Sequence, residues 1–196
     1  MYDLKVKLTF IENVLGLLPG NPKIYRSYIA SKAPDASTLE DEVADLGVDK
    51  VVENGSTVFP RENGVPYFYD YQVKGFFKDA CGALRRAPSY ASASVKSYKK
   101  IIDGLVFVFP RKIPVLFEGE MGICERSLRA STPQGERIGL AISEEIPAGA
   151  TMEFTVSCMN AEDLDLVREW LDYGYYRGLG QWRNSGKGRF LWAEVS

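Results

Sequence analysis

An α+β fold is predicted by three observations. Leu4, Val6, Leu8 and Phe10 alternate with Asp3, Lys5, Lys7 and Thr9, the period-two pattern of a half-buried strand. Residues 71–86 and 160–176 place their apolar side chains at helical spacing instead. Short alternating or continuous apolar runs lie between and after these segments, so strands and helices are interspersed along the chain.

Taken in order, the first strand, Leu4 to Phe10, runs into Val14 to Pro22, a loop dense in Gly and Pro. Residues 23–66 combine an acidic, helix-compatible piece, Thr38 to Leu46, with the turn signals Asn54-Gly55 and Asn63-Gly64. They read as an insertion within a single domain spanning 1–196. Tyr71 to Arg86 is expected to be a helix that buries Val73, Phe76, Phe77, Ala80 and Leu84. Lys74, Lys78 and Arg85 form a basic stripe on another side, either a solvated face or one that meets phosphate. Pro88 ends this helix, and Ser89 to Ser97 is a loop of small residues. Gly104 to Phe109 is an apolar run of strand length, and Pro110 and Pro114 break the segment after it.

Arg126 to Pro133 is polar with turn character. Ile138, Leu140 and Ile142 alternate, Glu144 to Ala150 turns the chain, and Met152, Phe154, Val156 and Cys158 alternate again; this predicts an antiparallel hairpin. Asn160 is a candidate N-cap, with Glu162 and Asp163 in the first turn where the helix dipole favours acids. Leu164, Val167, Trp170, Leu171 and Gly174 mark one face of that helix, and Phe190 to Val195 is a final strand. The order fits a ferredoxin-like βαββαβ plan with insertions.

The 196 residues carry a net charge of −2 and are 45% hydrophobic, enough for a core of ordinary size. There is no histidine, which excludes His-dependent triads, the commonest zinc sites and His-based ribonuclease chemistry. Cys81, Cys124 and Cys158 are scattered and odd in number, and are expected to be reduced core residues of a cytoplasmic protein. No apolar run approaches the roughly 20 residues that span a bilayer, and the charges within Met1–Lys7 are unlike a signal peptide. No cofactor is called for, and only an Asp/Glu site for a hard metal remains open.

The most telling stretch is Arg177 to Arg189. Its thirteen residues hold Gly178, Gly180, Gly186 and Gly188, the cations Arg177, Arg183, Lys187 and Arg189, and Trp182, with no acid; the other 183 residues sum to −6. It is not a Walker loop: five residues separate Gly180 from Gly186, Gly188 stands where Ser or Thr is needed, and a helix precedes the loop, with a strand and no helix after it. A dinucleotide fingerprint fails because Arg183 occupies the third glycine position. Two readings remain: a flexible turn, or an anion site in which Trp182 stacks on a base while Arg183 and Lys187 lie near phosphates.

Five features occur together in a fixed order. The first strand runs on into Leu15-Gly-Leu-Leu-Pro-Gly20. The helix opens Tyr71-Gln-Val-Lys-Gly-Phe-Phe-Lys78 and ends Ala83-Leu-Arg-Arg86. Arg129-Ala-Ser-Thr-Pro-Gln-Gly-Glu-Arg-Ile-Gly-Leu140 precedes Glu144-Glu-Ile-Pro-Ala-Gly-Ala-Thr-Met-Glu-Phe-Thr-Val156. A helix and then Gly178-Leu-Gly180…Gly186-Lys-Gly-Arg-Phe190 close the series. In these features, everywhere but residues 23–66, the chain resembles the RAMP superfamily of CRISPR-associated proteins, and most closely the backbone subunits that coat guide RNA.

The resemblance implies an RRM-like fold, single-stranded RNA as ligand, and a part in antiviral defence. Lys74 and Gly75 match the helix that contacts the RNA backbone, and Gly178, Gly180, Gly186 and Gly188 match the diagnostic loop. Lys78, Arg85, Trp182, Arg183, Lys187 and Arg189 complete the candidate RNA-binding set. Tyr71 and Gln72 depart from the family, which often has hydroxyl side chains there. The superfamily's processing nucleases rely on histidine, absent here. Some backbone subunits cut target RNA with an Asp after the first strand; Asp35 is the nearest candidate, with Glu40, Asp41 and Glu42 as metal partners, against an ordinary loop aspartate. Three functions are therefore carried forward. The first is a non-catalytic RNA-binding protein. The second is a mimic that enters or blocks a CRISPR effector assembly. The third is a metal-dependent ribonuclease. Effector subunits, or copies of the chain itself, are the expected protein partners.

Overall fold

The computed structural model of the chain describes residues 1–19, 57–132 and 135–195. Asp35, Glu40, Asp41, Glu42, the acidic piece 38–46 and Asn54-Gly55 lie outside the described residues.

The N-terminal alternation forms β1 (Tyr2–Phe10), with Leu4, Val6, Leu8 and Phe10 all buried on one face. β1 is central: Thr151–Cys158 (β11) pairs with it on one side and Phe190–Glu194 (β12) on the other, both antiparallel. The far edge of β11 is shared. Val106–Phe109 (β7) pairs with its C-terminal half and Lys112–Leu116 (β8) with its first two residues. Val65–Tyr69 (β6) extends the sheet beyond β8, and Arg61–Glu62 (β5) extends it beyond β6, for seven strands. β1 and β7 run parallel on either side of β11 and are linked through helix α1 (Asp70–Leu84). β11 and β12 flank β1 and are linked through helix α3 (Glu162–Arg177).

The predicted helical faces are buried: Val73, Phe76, Phe77, Ala80 and Leu84 on α1, and Val167, Trp170, Leu171 and Gly174 on α3, with Leu164 half-buried at its start. Phe77 meets Trp170 at 5.6 Å between ring centroids, and Phe76 meets Phe190 at 5.3 Å. Phe190 also stands edge-on to Phe10 at 6.2 Å, so one β12 side chain joins both helices to the central strand. Each such side chain contributes about 1.5–3 kcal/mol by its burial. Gly174 makes the joint possible: a Cβ there would lie 2.0 Å from the Phe190 ring.

A second sheet holds a long antiparallel hairpin, Gly122–Thr132 (β9) with Gly135–Ile146 (β10). β10 also pairs with Val14–Leu15 (β2) and, in parallel, with Thr57–Val58 (β4), which pairs with Leu18–Pro19 (β3). This corrects three expectations. Arg126 to Thr132 is strand, not turn. β10 pairs with β9 rather than with β11, because the chain leaves Ile146 for the other sheet. Pro114 lies inside β8, opposite Tyr67, instead of breaking the strand. In a two-stranded ribbon the backbone ladder makes the strand, and that leaves no mark in side-chain hydropathy.

Smaller differences have local causes. Ser89 to Ser97 is not all loop, since Ala91–Ser94 is a 3₁₀ turn. Tyr98–Leu105 is helix α2, which buries Ile102, so the strand expected from Gly104 begins at Val106. The N-cap of α3 is Ala161, since Asn160 gives its side-chain N–H to Asp163 Oδ2 (3.0 Å) instead of capping backbone. Among the described residues no helix is long and apolar enough to cross a membrane.

All three cysteines are free, but only Cys81 and Cys158 are core residues; Cys124, on β9, is half-buried. Burial pushes the Cys158 thiol up to about 12 and raises that of Cys81. Alkylation of the folded protein at pH 8 should therefore label Cys124 first, with Cys81 and Cys158 reacting only in denaturant; equal labelling of all three by mass spectrometry contradicts this core. Gly174→Ala should lower stability to urea by about 2 kcal/mol through overpacking against Phe190. An unchanged unfolding midpoint would show that the helix–strand joint is looser than described.

Candidate nucleic-acid interface

The glycine-rich segment is a closed loop rather than a flexible turn. Gly178, at φ +76°, ends α3 with its N–H on the Gly174 carbonyl (3.0 Å). Leu179 then enters the core and donates its N–H to the Gly188 carbonyl (2.9 Å). Gly188 in turn donates to the Asn13 carbonyl (2.8 Å), tying the loop to the turn after β1. A Cβ on Gly188 would fall 1.7 Å from the Leu179 oxygen, so no other residue permits this contact. At the tip, Arg183–Ser185 forms a 3₁₀ turn in which Ser185 Oγ donates to the Trp182 carbonyl (2.8 Å).

α1 faces this loop. Its start is fixed by Gln72, whose Oε1 accepts from Tyr69 N–H (2.8 Å) as the third-position partner of a cap. That gives Gln72 a structural use of its own, as the anchor of the helix start. Between α1 and the loop lies a cleft of about 480 Å³. Tyr71, Gln72, Gly75, Phe76 and Lys78 line one wall, and Leu179, Gly180 and Arg183 the other, with Leu17 and Asp103 at its margins. The structure thus brings Gly75, Lys78, Gly180 and Arg183 together from two distant stretches of chain. Gly75 is exposed in mid-helix, and a Cβ there would meet nothing within 4 Å. Glycine in mid-helix costs about 0.5–1 kcal/mol relative to alanine, and no packing contact at Gly75 explains it.

The other candidates lie around the cleft rather than in it. Lys74 Nζ reaches the Asp103 carbonyl (3.1 Å) and stands 5.4 Å from the Phe107 ring centroid. Burial pushes the Lys74 ammonium below its ordinary value, and Asp103 opposes that shift. Arg85 is exposed at the end of α1, over the Tyr98 ring at 5.1 Å, so the expected stripe is split. Gly186 and Gly188 shape the loop, and the Arg189 side chain lies against Gly186, 3.5 Å from where a Cβ would be. Trp182 remains 43% exposed.

The loop's cations are not bare. Asp79 on α1 accepts from both Arg177 Nε and Arg183 Nη1, each at 2.8 Å. That hydrogen bond holds the Arg177 guanidinium above its ordinary value. Lys187 pairs with Glu145 at 2.5 Å, and Lys78 pairs with Asp103. Sequence reasoning missed these acids, and it missed Arg126, which lies against the Trp182 ring at 4.7 Å. Asp79 looks like one more acid on a solvated helix, and nothing in the sequence sets it beside a loop about a hundred residues away. Even so, charge is in excess. Among the described residues, Arg126, Arg177, Arg183, Lys187 and Arg189 are in or against the loop, and Asp79 and Glu145 are the carboxylates paired with them. No group of three or more His, Cys, Asp or Glu among the described residues is placed to hold a metal ion.

No family model matches the chain, and no curated protein matches it in sequence. In fold it is similar to the crystal structure of Cmr6 from Pyrococcus furiosus, with a TM-score of 0.50 and 12% identity over 99% of this chain and 98% of that one. It is also similar to a chain of a Type IV-B CRISPR complex, with a TM-score of 0.50 and 11% identity over 100% of this chain and 91% of that one. A chain of the Type III-B Cmr-beta assembly bound to cognate target RNA aligns with 99% of this chain at a TM-score of 0.48 and 10% identity, and this chain spans 58% of its length. At these identities the likeness is one of fold: this chain has the architecture of Cmr6 and of the Type IV-B subunit.

Proposed function

We propose that this protein is a non-catalytic, single-stranded RNA-binding member of a CRISPR effector assembly, built on a ferredoxin-like, RRM-like core. The observation that carries the reading is the cleft in which Gly75 and Lys78 of α1 face Gly180 and Arg183 of the glycine-rich loop. The antiparallel order β12-β1-β11-β7, with α1 and α3 as its two connections, supports the ferredoxin-like assignment. Residues 23–66 are then an insertion into a single domain. The fold shared with Cmr6 and with a Type IV-B CRISPR complex chain supports the CRISPR setting.

In this reading the phosphate chain lies along the cleft. Gly75 leaves room for its close approach, and Lys78 and Arg183 supply charge. Both cations already have a carboxylate partner, so each exchanges an ion pair for a phosphate. Lys74, Arg85, Lys187 and Arg189 flank the path.

The same pairing favours a second reading. A surface on which Lys78, Arg183 and Lys187 arrive already paired, on a chain of net charge −2, also suits a protein partner, as in a mimic that occupies a place in an effector assembly. Co-purification of effector subunits from nuclease-treated lysate, with no RNA retained, would select it. The nuclease reading rests on Asp35 with Glu40, Asp41 or Glu42, which lie outside the described residues.

RNA binding is checked by fluorescence anisotropy with a single-stranded oligonucleotide across a salt series. Affinity should fall steeply with salt, as expected when lysine and arginine displace the counterions condensed on the phosphates. Arg183→Glu with Lys187→Glu should weaken binding at low salt by roughly tenfold or more, about one decade for the few phosphates involved. Absence of binding at low salt, or an unchanged affinity in the double variant, would remove the proposal. Gly75→Ala gives a sharper separation. It should stabilise the protein by about 0.5–1 kcal/mol, because alanine is the better helix former, and yet weaken RNA binding. If it stabilises without affecting binding, the phosphate path does not run over α1.

A further inference from the structure

Arg126 is the most unusual charged residue of the described chain. It is 9% exposed, and among the described residues no carboxylate is paired with it. Its Nη2 donates to two neutral oxygens, Ser143 Oγ (3.0 Å) and Gln181 Oε1 (3.2 Å), and its buried Nε finds no partner. The remaining contact is the face of Trp182, with Cζ 4.7 Å from the ring centroid. A buried cation satisfied in this way is costly, and a methionine or leucine would fill the space at less expense. A structural role alone does not explain the charge.

Trp182 is unusual on its own account. It is 43% exposed, and its backbone has φ +53° and ψ 36°, the left-handed region that a bulky side chain seldom adopts. One large aromatic ring is thus held outward at a backbone cost and backed by a buried cation. Arg126 comes from β9, Ser143 from β10 and Gln181 from the loop itself, so three segments converge beneath one ring.

The geometry points to Trp182 as a fixed platform for one nucleobase of a bound single strand, with Arg126 as the positioning residue that holds it. This rests on the RNA-binding reading above and assigns it a base-contacting position outside the phosphate cleft. The guanidinium fills one face of the indole and leaves the rest of the ring as a flat apolar surface. It also draws the ring's electron density toward itself. The outward side is thereby less suited to a second cation and better suited to an electron-rich base beside a phosphate. Stacking of this kind accepts any base, because every base has a π-face.

The test compares a base-bearing RNA oligonucleotide with one of equal length carrying abasic sites, under the same salt. The wild type should prefer the base-bearing strand by roughly tenfold, in the range that stacking one base contributes. Trp182→Ala should bring the ratio toward one while leaving the salt slope near its wild-type value. Arg126→Gln should lower the ratio as well, and Arg126→Lys, which keeps the charge without the planar guanidinium, should not restore it. Gln181→Ala withdraws one of the two oxygen partners and should also lower the ratio, which covers the case in which Arg126→Gln does not fold. An RNA-free readout accompanies these: in 5-fluorotryptophan protein, the fluorine line assigned by Trp182→Phe should shift in Arg126→Gln. A wild-type ratio in both Arg126→Gln and Gln181→Ala, or a stationary fluorine line, overturns the role of Arg126. Salt-dependent binding with no preference for bases overturns the platform and leaves the phosphate grip standing. Absence of binding to either strand at low salt overturns both.

Discussion

The contact between Gly188 and Leu179 is the constraint on which the rest of the candidate interface depends. It brings two strands of loop backbone together where even a methyl group cannot fit, and it leaves Gly188 N–H on the carbonyl of Asn13. Leu179 is driven into the core, and its hydrophobic burial holds the loop shut. Once the loop is closed, the positions of Gly180, Trp182 and Arg183 are set by short, nearly rigid connections. Glycine in this segment therefore serves the protein's own backbone first. Of the glycines near the cleft, Gly75 is the one whose absence of a side chain has no internal explanation.

Electrostatics refine the same picture. Each surface ion pair here contributes little to stability, because its partners are partly solvated. Their larger effect is geometric. Asp79 holds two arginines at the mouth of the loop and keeps like charges from spreading it. Glu144 and Glu145, neighbours on β10, divide the work: Glu144 accepts from Arg61 (2.6 Å) and from Phe59 N–H (2.8 Å), and Glu145 takes Lys187. An acidic pair that reads as the start of a turn thus fastens β10 to both the segment Phe59–Arg61 and the loop.

Much of the architecture was legible in the sequence because burial leaves a periodic trace. β1, α1, α3, β11 and β12 lie where alternation or helical spacing put them, within a few residues. The misses have separate causes. β9 is set by backbone pairing with β10, and the Pro114 that reads as a breaker hides the alternation of Ile113 and Val115 in β8. In α2, Tyr98, Ile101, Ile102 and Leu105 do stand at helical spacing, but over only two turns that run straight into the apolar strand β7. The site was legible in part. Glycine and charge in the loop were visible as composition, whereas Asp79, Asp103, Glu145 and Arg126 act across long stretches of sequence, and their residue types are ordinary where they stand.

The β9–β10 hairpin has one more consequence. Its ladder runs through eleven register pairs, and three successive residues at its base, Ser143, Glu144 and Glu145, reach Arg126, Arg61 and Lys187 in turn. The base of the hairpin is therefore built from the same side chains that set the loop: Ser143 accepts from Arg126, which backs Trp182, and Glu145 holds Lys187. Among the described residues, the longest ladder of the second sheet and the glycine-rich loop thus share one footing.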